Sequence, residues 1–158
     1  MRELVLLRHA HAEPPREGQS DADRPLSAEG RAEAEAAGRW LKAHGFAPDR
    51  VLVSPSRRTK ETLEQVLSVI GYAEQREDQR IYEATPGDLL AVADEHRAIG
   101  RVLLVGHNPG LEQVVALLSD GQSGDFRGMP AGGIAVLRLP ADAALEPGAA
   151  SLAAFWWP

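Results

Sequence analysis

The sequence predicts an α/β fold: a three-layer α/β/α sandwich with a mainly parallel central sheet and an antiparallel edge. Short continuous apolar runs alternate with amphipathic helical segments over roughly the first 118 residues, which is typical of parallel strands buried on both faces. The remaining segment holds two strand-like stretches without a helix between them, which predicts an antiparallel pair. The chain has 158 residues and neither a linker nor an internal repeat, so we expect one domain over residues 1–158.

The first strand is predicted at residues 4–7, and a proline-rich, acidic loop is predicted at residues 11–25. Ser27 is a candidate N-cap for the helix after this loop, and Gly45 is a candidate end signal. The apolar face of this helix is expected to consist of Ala32, Ala36, Trp40 and Leu41.

A second strand is predicted at residues 51–53, and an amphipathic helix follows it. The apolar face of this second helix is predicted to carry Thr59, Leu63, Val66, Leu67 and Ile70. A weaker strand is predicted around residues 80–82. Thr85 is then a candidate N-cap, with Pro86 at the first helical position and Asp88 three residues after the cap.

The clearest strand signal is the apolar run at residues 102–105. Asn108 and Pro109 follow it and are expected to be the N-cap and first position of the next helix. A glycine-rich loop at residues 120–133 leads to the predicted antiparallel pair, at residues 134–139 and 151–157.

The composition excludes several classes of protein. The chain has 17 Lys and Arg against 23 Asp and Glu, a net charge of −6, which argues against a nucleic-acid partner because phosphate-binding surfaces need clustered cations. Because it has no cysteine, disulfides, thiolate metal sites and cysteine nucleophiles are excluded. The apolar runs are too short to span a membrane and no signal peptide is recognisable, so we expect a cytoplasmic protein with no membrane partner. A monomer is favoured.

Basic side chains follow three predicted strands at the points where the strands end. Arg8 and His9 follow the first strand, Arg58 lies shortly after the second, and His107 and Asn108 follow the clearest one. Because the carboxyl ends of parallel strands meet at one edge of a sheet, we expect these side chains to lie together. A helix N-terminus at Asn108 adds backbone N–H groups and the positive end of a helix dipole. The sequence therefore predicts an anion site suited to phosphate.

These residue types fit phosphoryl transfer. A neutral histidine is a good nucleophile toward phosphorus, and guanidinium groups with a second imidazole can bind the oxygens whose charge must be stabilised. The scheme requires neither a metal nor another cofactor. The chain also lacks the P-loop motif of nucleotide-dependent enzymes and the GxSxG motif of serine hydrolases.

Three segments resemble the signatures of the histidine phosphatase superfamily, the phosphoglycerate-mutase-like group: Leu-Leu-Arg-His at residues 6–9, the segment at residues 54–62, and Gly-His at residues 106–107. Within that group, Asp-Arg-Pro-Leu-Ser at residues 23–27 with Gly30, and the segment at residues 105–111, are similar to the small SixA-type phosphohistidine phosphatases. The resemblance covers roughly residues 1–118.

The resemblance implies a role for each matching residue. His9 would be the nucleophile that becomes phosphorylated, Arg8 and Arg58 would bind the phosphoryl oxygens, and His107 would complete the pocket. Glu83 stands where many members of the family carry a proton-donating acid, although an ordinary carboxylate at a helix N-terminus explains it equally well.

Two other residues are candidates for substrate binding. Arg24 matches a position near the mouth of the pocket, or it pairs with a neighbouring aspartate, and Asn108 begins the helix after the second histidine. Arg57 is expected to point toward solvent or substrate. Ala10 stands where the family usually has glycine, which is acceptable only if the backbone there needs no positive φ.

The expected activity is that of a metal-independent phosphatase with a histidine nucleophile, acting on a phosphorylated protein such as a histidine phosphotransfer domain. A chain this short has little room for capping insertions, which favours an open pocket and a protein substrate. One alternative is a small-molecule phosphomonoesterase of the same superfamily, and another is a non-catalytic module that binds phosphorylated partners. Metal-dependent hydrolysis through His9, His11 and His107 has little support, because their spacing lacks a ligand pair on one helical turn.

Overall fold

A computed structural model of the protein describes residues 2–121 and 128–158. The strands of the described residues are β1 (Arg2–Arg8), β2 (Arg50–Val53), β3 (Glu74–Glu77), β4 (Arg101–Gly106), β5 (Ile134–Leu139) and β6 (Ser151–Trp156). They form one sheet in the order β3-β2-β4-β1-β5-β6. Strands β1 to β4 pair with one another in parallel, whereas β5 is antiparallel to both β1 and β6. The predicted parallel sheet with an antiparallel edge is confirmed.

The helices are α1 (Ala28–Ala43), α2 (Arg57–Ile70), α3 (Pro86–Asp94) and α4 (Gly110–Asp120). Two short 3-10 helices lie at Asp21–Asp23 and Gln79–Ile81. The predicted loop before α1 therefore contains one helical turn, and a single antiparallel bridge joins Ala12 to Leu26 across it. Within residues 2–121 and 128–158, no helix is both long enough and apolar enough to cross a membrane.

The sheet is covered on both faces, as the continuous apolar runs predict. In β1, Leu4 and Leu6 pack into the core beneath α3 and α4, while Val5 and Leu7 pack into the core beneath α1 and α2. This alternation is why the strand shows no polar face in the sequence. The three-layer arrangement follows from burying both sets of side chains.

Local signals place two helix starts where the sequence predicts them. Ser27 Oγ accepts a hydrogen bond from the Gly30 N–H at the start of α1. Thr85 and Asp88 exchange side-chain and backbone hydrogen bonds as a capping box at the start of α3, with Pro86 in the first turn. These caps satisfy backbone N–H groups that the helices leave unpaired.

The predicted apolar face of α1 is partly wrong. Ala32 is exposed, and the buried face consists of Gly30, Ala34, Ala37, Gly38 and Leu41. The helix is rich in alanine on several sides, so hydrophobic periodicity leaves its rotation poorly determined. The glycines decide it, because α1 contacts neighbouring backbone where a Cβ would not fit.

The strand predicted around residues 80–82 is also wrong. Residues 79–81 form a 3-10 helix, and the edge strand β3 lies earlier, at Glu74–Glu77. All four β3 residues are exposed, so this strand shows neither an apolar run nor an alternating pattern. Ile81, which suggested a strand, is buried from the 3-10 helix instead.

Two boundaries near the C-terminal half differ from expectation. Helix α4 begins at Gly110 with Pro109 at the N-cap, not with Asn108 as N-cap and Pro109 as first residue. Asn108 still acts at this end of the helix, because its Oδ1 accepts a hydrogen bond from the Glu112 N–H at 3.1 Å. The last strand ends at Trp156. Residues 122–127 of the predicted glycine-rich loop lie outside the described residues.

Candidate active site

Three adjacent strands bring the predicted basic residues to one edge of the sheet. Strands β2, β4 and β1 are neighbours and parallel, so Ser54, His107 and His9 all follow the same carboxyl edge. Arg8 is the last residue of β1, and Arg58 lies in the first turn of α2. This edge is where α/β sheets place their ligands.

The ring of His9 is oriented by its own backbone. Its Nδ1 lies 2.7 Å from the carbonyl oxygen of Ala10. A carbonyl oxygen can only accept, so Nδ1 carries the proton and Nε2 keeps its lone pair. The Ala10 N–H in turn donates to Thr62 Oγ1 at 3.0 Å, which joins the end of β1 to α2. Ala10 is not among the residues with positive φ, so alanine is compatible with this position.

Both histidines of the cluster are held neutral. Burial, together with the nearby guanidinium groups of Arg58, Arg8 and Arg24, lowers the pKa of His9 to about 4. Burial also lowers the pKa of His107 to about 3, with His9 and Arg58 as the next causes. Both groups are therefore free bases at neutral pH.

His107 is held between Ser54 and Arg58. Its Nε2 lies 2.8 Å from Ser54 Oγ, and its Nδ1 lies 3.4 Å from Nη2 of Arg58. Because the guanidinium only donates, Nδ1 accepts and Nε2 donates to the Ser54 hydroxyl. The His9 and His107 ring centroids are 5.3 Å apart, and Tyr82 lies edge-on to His107 at 5.5 Å.

Arg58 is buried and makes further contacts to the 3-10 turn before α1. Its Nη1 donates to the backbone oxygen of Asp21 at 2.8 Å, and its Nη2 donates to Asp21 Oδ2 at 2.9 Å. Only 8% of the Arg58 side chain is exposed. The adjacent Arg57 is half exposed and pairs with Glu61 on the helix surface, so it points away from the cluster.

Arg8 is fixed by the turn before β5. Its Nη1 donates to the carbonyl oxygen of Met129 at 2.8 Å, and Asn108 Nδ2 donates to the same oxygen at 2.9 Å. Both polar groups of the Asn108 side chain are therefore used within the protein. The Nε of Arg8 is buried and has no hydrogen-bond partner in the described part of the chain. An unpaired buried donor of this kind is suited to a ligand oxygen.

The remaining predicted residues lie around this cluster with different degrees of involvement. Arg24 donates to Glu13 O and to Asp21 Oδ1, and it lies near enough to His9 to lower its pKa. Glu83 follows Tyr82, is exposed, has a φ of 55°, and makes no side-chain hydrogen bond among the residues described.

His11 is the third histidine that metal-dependent hydrolysis would use. His11 is exposed and its Nδ1 lies 2.7 Å from Ser27 Oγ, so it faces α1. Over residues 2–121 and 128–158, no group of three or more His, Asp or Glu side chains is arranged to hold a metal ion.

Sequence reasoning missed Asp21 and Tyr82. In the sequence, Asp21 is only one of the aspartates near Arg24, yet it contacts Arg58, and the Tyr82 hydroxyl donates to its Oδ2 at 2.5 Å. Asp21 and Tyr82 are 61 residues apart, and no sequence spacing relates them. The one available signal was their position beside recognised segments, Asp21 before residues 23–27 and Tyr82 before Glu83.

The chain is similar in sequence to proteins of one family. The family model of the histidine phosphatase superfamily (branch 1) matches residues 4–99. An uncharacterized protein of Mycobacterium tuberculosis is 36% identical, over 96% of this chain and 99% of that protein. The phosphohistidine phosphatase SixA of Escherichia coli is 32% identical, over 77% of this chain and 76% of that protein.

A solved structure shows the same fold. An Agrobacterium tumefaciens protein provisionally assigned as the phosphohistidine phosphatase SixA has a TM-score of 0.87 at 27% identity, over 99% of this chain and 98% of that chain. Together with the sequence matches, this supports a phosphatase activity on a phosphorylated substrate. The chain belongs to the histidine phosphatase superfamily.

Proposed function

We propose that this protein removes the phosphoryl group from phosphohistidine on another protein, through a phosphohistidine intermediate at His9. The observation that carries the proposal is the tautomer and protonation state of the His9 ring. Its Nδ1 is committed to Ala10 O, and its lowered pKa leaves Nε2 unprotonated in the field of Arg58, Arg8 and Arg24.

In the first step, Nε2 of His9 attacks phosphorus opposite the leaving group. A bond forms between phosphorus and Nε2 while the bond to the substrate nitrogen breaks, and the departing imidazole takes a proton from water or Glu83. Arg8 and Arg58 bind the phosphoryl oxygens as charge shifts among them, with the unpaired Nε of Arg8 as one donor.

In the second step, water attacks the phosphorus held on His9. The bond between phosphorus and Nε2 breaks, inorganic phosphate leaves, and His9 returns to its neutral form. His107 is proposed to complete the phosphoryl pocket, because its ring lies 5.3 Å from that of His9 and contacts Arg58. Arg24 is proposed to act at the rim, where it lies near His9.

The protein substrate is inferred from the access to the site and from the relatives. Glu83 and Asp21 at the rim of the site are exposed, so a phosphorylated side chain on a protein surface can approach it. The Escherichia coli relative is named a phosphohistidine phosphatase. The phosphoglycerate mutase relatives, in contrast, match 56% of this chain or less, which gives the small-ester alternative weaker support.

The test is phosphate release, with a chelator present, from a histidine phosphotransfer domain phosphorylated on histidine and from p-nitrophenyl phosphate. We expect the wild type to use both and to prefer the phosphoprotein. His9→Ala should release no phosphate from either, because the nucleophile is missing. His11→Ala is the matched control, an exposed histidine two residues away, and should keep activity within about threefold because it contacts Ser27 and not the cluster.

Each outcome has a defined meaning. A radiolabelled enzyme whose label is acid-labile and absent from His9→Ala would support the intermediate. Faster use of p-nitrophenyl phosphate would replace the phosphoprotein assignment by a small-molecule phosphomonoesterase. Binding of the phosphoprotein without release would overturn the catalytic proposal in favour of a binding module.

A further inference from the structure

We propose that Asp21 is a positioning residue for the reaction: it holds the end of the Arg58 guanidinium group so that the remaining edge faces the phosphoryl group on His9. This inference rests on the proposed function, because it assigns a purpose to Arg58 within that site. It concerns a residue for which neither the motifs nor the family match supplies a role.

Asp21 binds one edge of the Arg58 guanidinium group. Both terminal nitrogens of Arg58 donate to Asp21, one to its backbone oxygen and one to its Oδ2. Nη2 also lies 3.4 Å from His107 Nδ1. Asp21 thus occupies the edge formed by Nη1 and Nη2. The other edge, formed by Nη2 and Nε, is not used by Asp21, and its Nη2 contacts His107. A guanidinium group can bind two oxygens through that second side.

Asp21 is itself held from two other directions. The Tyr82 hydroxyl donates to Oδ2 at 2.5 Å, and Arg24 Nη1 donates to Oδ1 at 3.1 Å. The Tyr82 ring also lies edge-on to His107, and Cζ of Arg58 lies 5.9 Å from the Tyr82 ring centroid. The loop after β1 and the turn before α3 are therefore joined across Arg58.

This arrangement benefits catalysis because it orders Arg58 before the reaction. An arginine side chain has many rotamers, and ordering it during the reaction would cost free energy. A carboxylate that orders it beforehand removes this cost from the chemical step. The hydrogen bond from Tyr82 and the contacts to Arg24 and Arg58 hold the pKa of Asp21 well below its usual range, so it stays charged. A carboxylate that stays charged is unsuited to donating a proton to the leaving group.

The experiment compares Asp21→Asn with Asp23→Asn, using p-nitrophenyl phosphate. Both changes remove one negative charge from the same 3-10 turn, but Asp23 is exposed and its side chain is not part of the cluster. We expect kcat to fall about tenfold or more in Asp21→Asn, because a displaced Arg58 binds the transition state poorly. Asp23→Asn should stay within about twofold. Tyr82→Phe, which keeps the ring and removes one donor to Asp21, should show a smaller loss of about two- to fivefold.

The double variant separates positioning from direct participation. If Asp21 acts through Arg58, then adding Asp21→Asn to Arg58→Ala changes kcat by less than about twofold. Losses that multiply, or a changed shape of the pH–rate profile, would show that Asp21 acts on substrate directly and would overturn the proposal. A lower KM at unchanged kcat would also overturn it, since the carboxylate would then be a competitor of the phosphoryl group.

A measurement independent of turnover keeps this inference separate from the proposed function. In the wild type, the Nη–H protons of Arg58 should give resolved, slowly exchanging NMR signals, identified by their absence in Arg58→Ala. These signals should broaden in Asp21→Asn and persist in Asp23→Asn. If the wild type shows no phosphatase activity, the proposed function fails while this result still decides the role of Asp21. Unchanged Arg58 signals in Asp21→Asn would refute it.

Discussion

Residues of the same type have different roles at neighbouring positions, and the degree of burial of their side chains distinguishes them. Arg57 and Arg58 are adjacent, yet the first is 51% exposed and pairs with Glu61, whereas the second is 8% exposed and contacts His107. His9 and His11 differ in the same way. In a helix, consecutive side chains point in directions about 100° apart, so one of two adjacent arginines can line a site while the other is solvated.

The ionisation of His9 predicts the acid limit of the reaction. A protonated His9 has no lone pair for attack, and its pKa is lowered to about 4, so the nucleophile should remain available well below pH 6.5. We expect kcat/KM to fall in two steps as the pH is lowered. One step, near pH 6, belongs to the phosphoryl group of the substrate, and the other, near pH 4, belongs to His9.

The measurement is a pH–rate profile with two aryl phosphates whose phosphoryl groups ionise at different pH. The upper step should move with the substrate, and the lower step should not. A single step near pH 6.5 that is the same for both substrates would mean that His9 titrates as an exposed histidine does, contrary to its buried position.

At the level of elements, the position of His9 depends on how α1 meets the chain that follows β1. The carbonyl oxygen of His11 accepts from the Ser27 N–H at 3.0 Å, and the His11 N–H donates to Glu33 at 2.8 Å. A Cβ on Gly30 would lie 2.0 Å from that same carbonyl oxygen. Glycine at this position therefore allows the first turn of α1 to contact the backbone two residues after the nucleophile.

Gly30→Ala should accordingly destabilise the protein. We expect a loss of about 2–3 kcal/mol in the free energy of unfolding, because backbone atoms and not a flexible side chain must move. Activity should fall as well, since the displaced segment carries His9. Urea unfolding and phosphate release measure the two effects.

Gly87→Ala is the matched control in the first turn of α3. Its Cβ would meet only Thr85 Oγ1, at 3.8 Å, and Gly87 is not among the glycines with positive φ. We expect this change to stabilise the protein by about 0.5–1 kcal/mol, because alanine lowers the conformational entropy of the unfolded chain. Equal effects of the two substitutions would contradict the close contact at Gly30.

At the level of the whole molecule, the sheet places a neutral, partly buried histidine pair at its carboxyl edge, and this couples stability to pH. His9 and His107 bind protons more weakly in the folded state than in the unfolded chain. Below about pH 6.5 the unfolded state therefore takes up more protons. The contribution of the two histidines to the free energy of unfolding is fully present above that pH. It declines as the pH falls toward the folded-state pKa values of about 4 and 3.

His9→Asn removes one of these protonation sites and should make stability less dependent on pH. Between pH 7 and pH 5, the wild type should lose about 1–2 kcal/mol more than the variant. Urea unfolding of both proteins at the two pH values measures the difference, and equal losses in the wild type and the variant would contradict it.

The ease of prediction differed among elements for identifiable reasons. Strands β1, β2 and β4 were recognised because they are buried on both faces, and α3 because its cap is local in sequence. The edge strand β3 was missed because all four of its residues are exposed. The face of α1 was partly misassigned because alanine occurs on several sides and backbone contacts set its rotation.

The sequence by itself determined the fold class, the family, and the gathering of Arg8, His9, Arg58 and His107 at one edge of the sheet. These follow from local patterns and from the rule that parallel strands end together. Only the tertiary structure decided which nitrogen of His9 is free, that Arg8 and Asn108 share the Met129 carbonyl, and that Asp21 and Tyr82 contact Arg58 and His107. The contacts of Arg8, Asn108, Asp21 and Tyr82 join residues far apart in the chain, and their geometry depends on how loops from separate strands pack, which no local spacing encodes. The contact of His9 with the adjacent Ala10 depends on the backbone conformation at the end of β1.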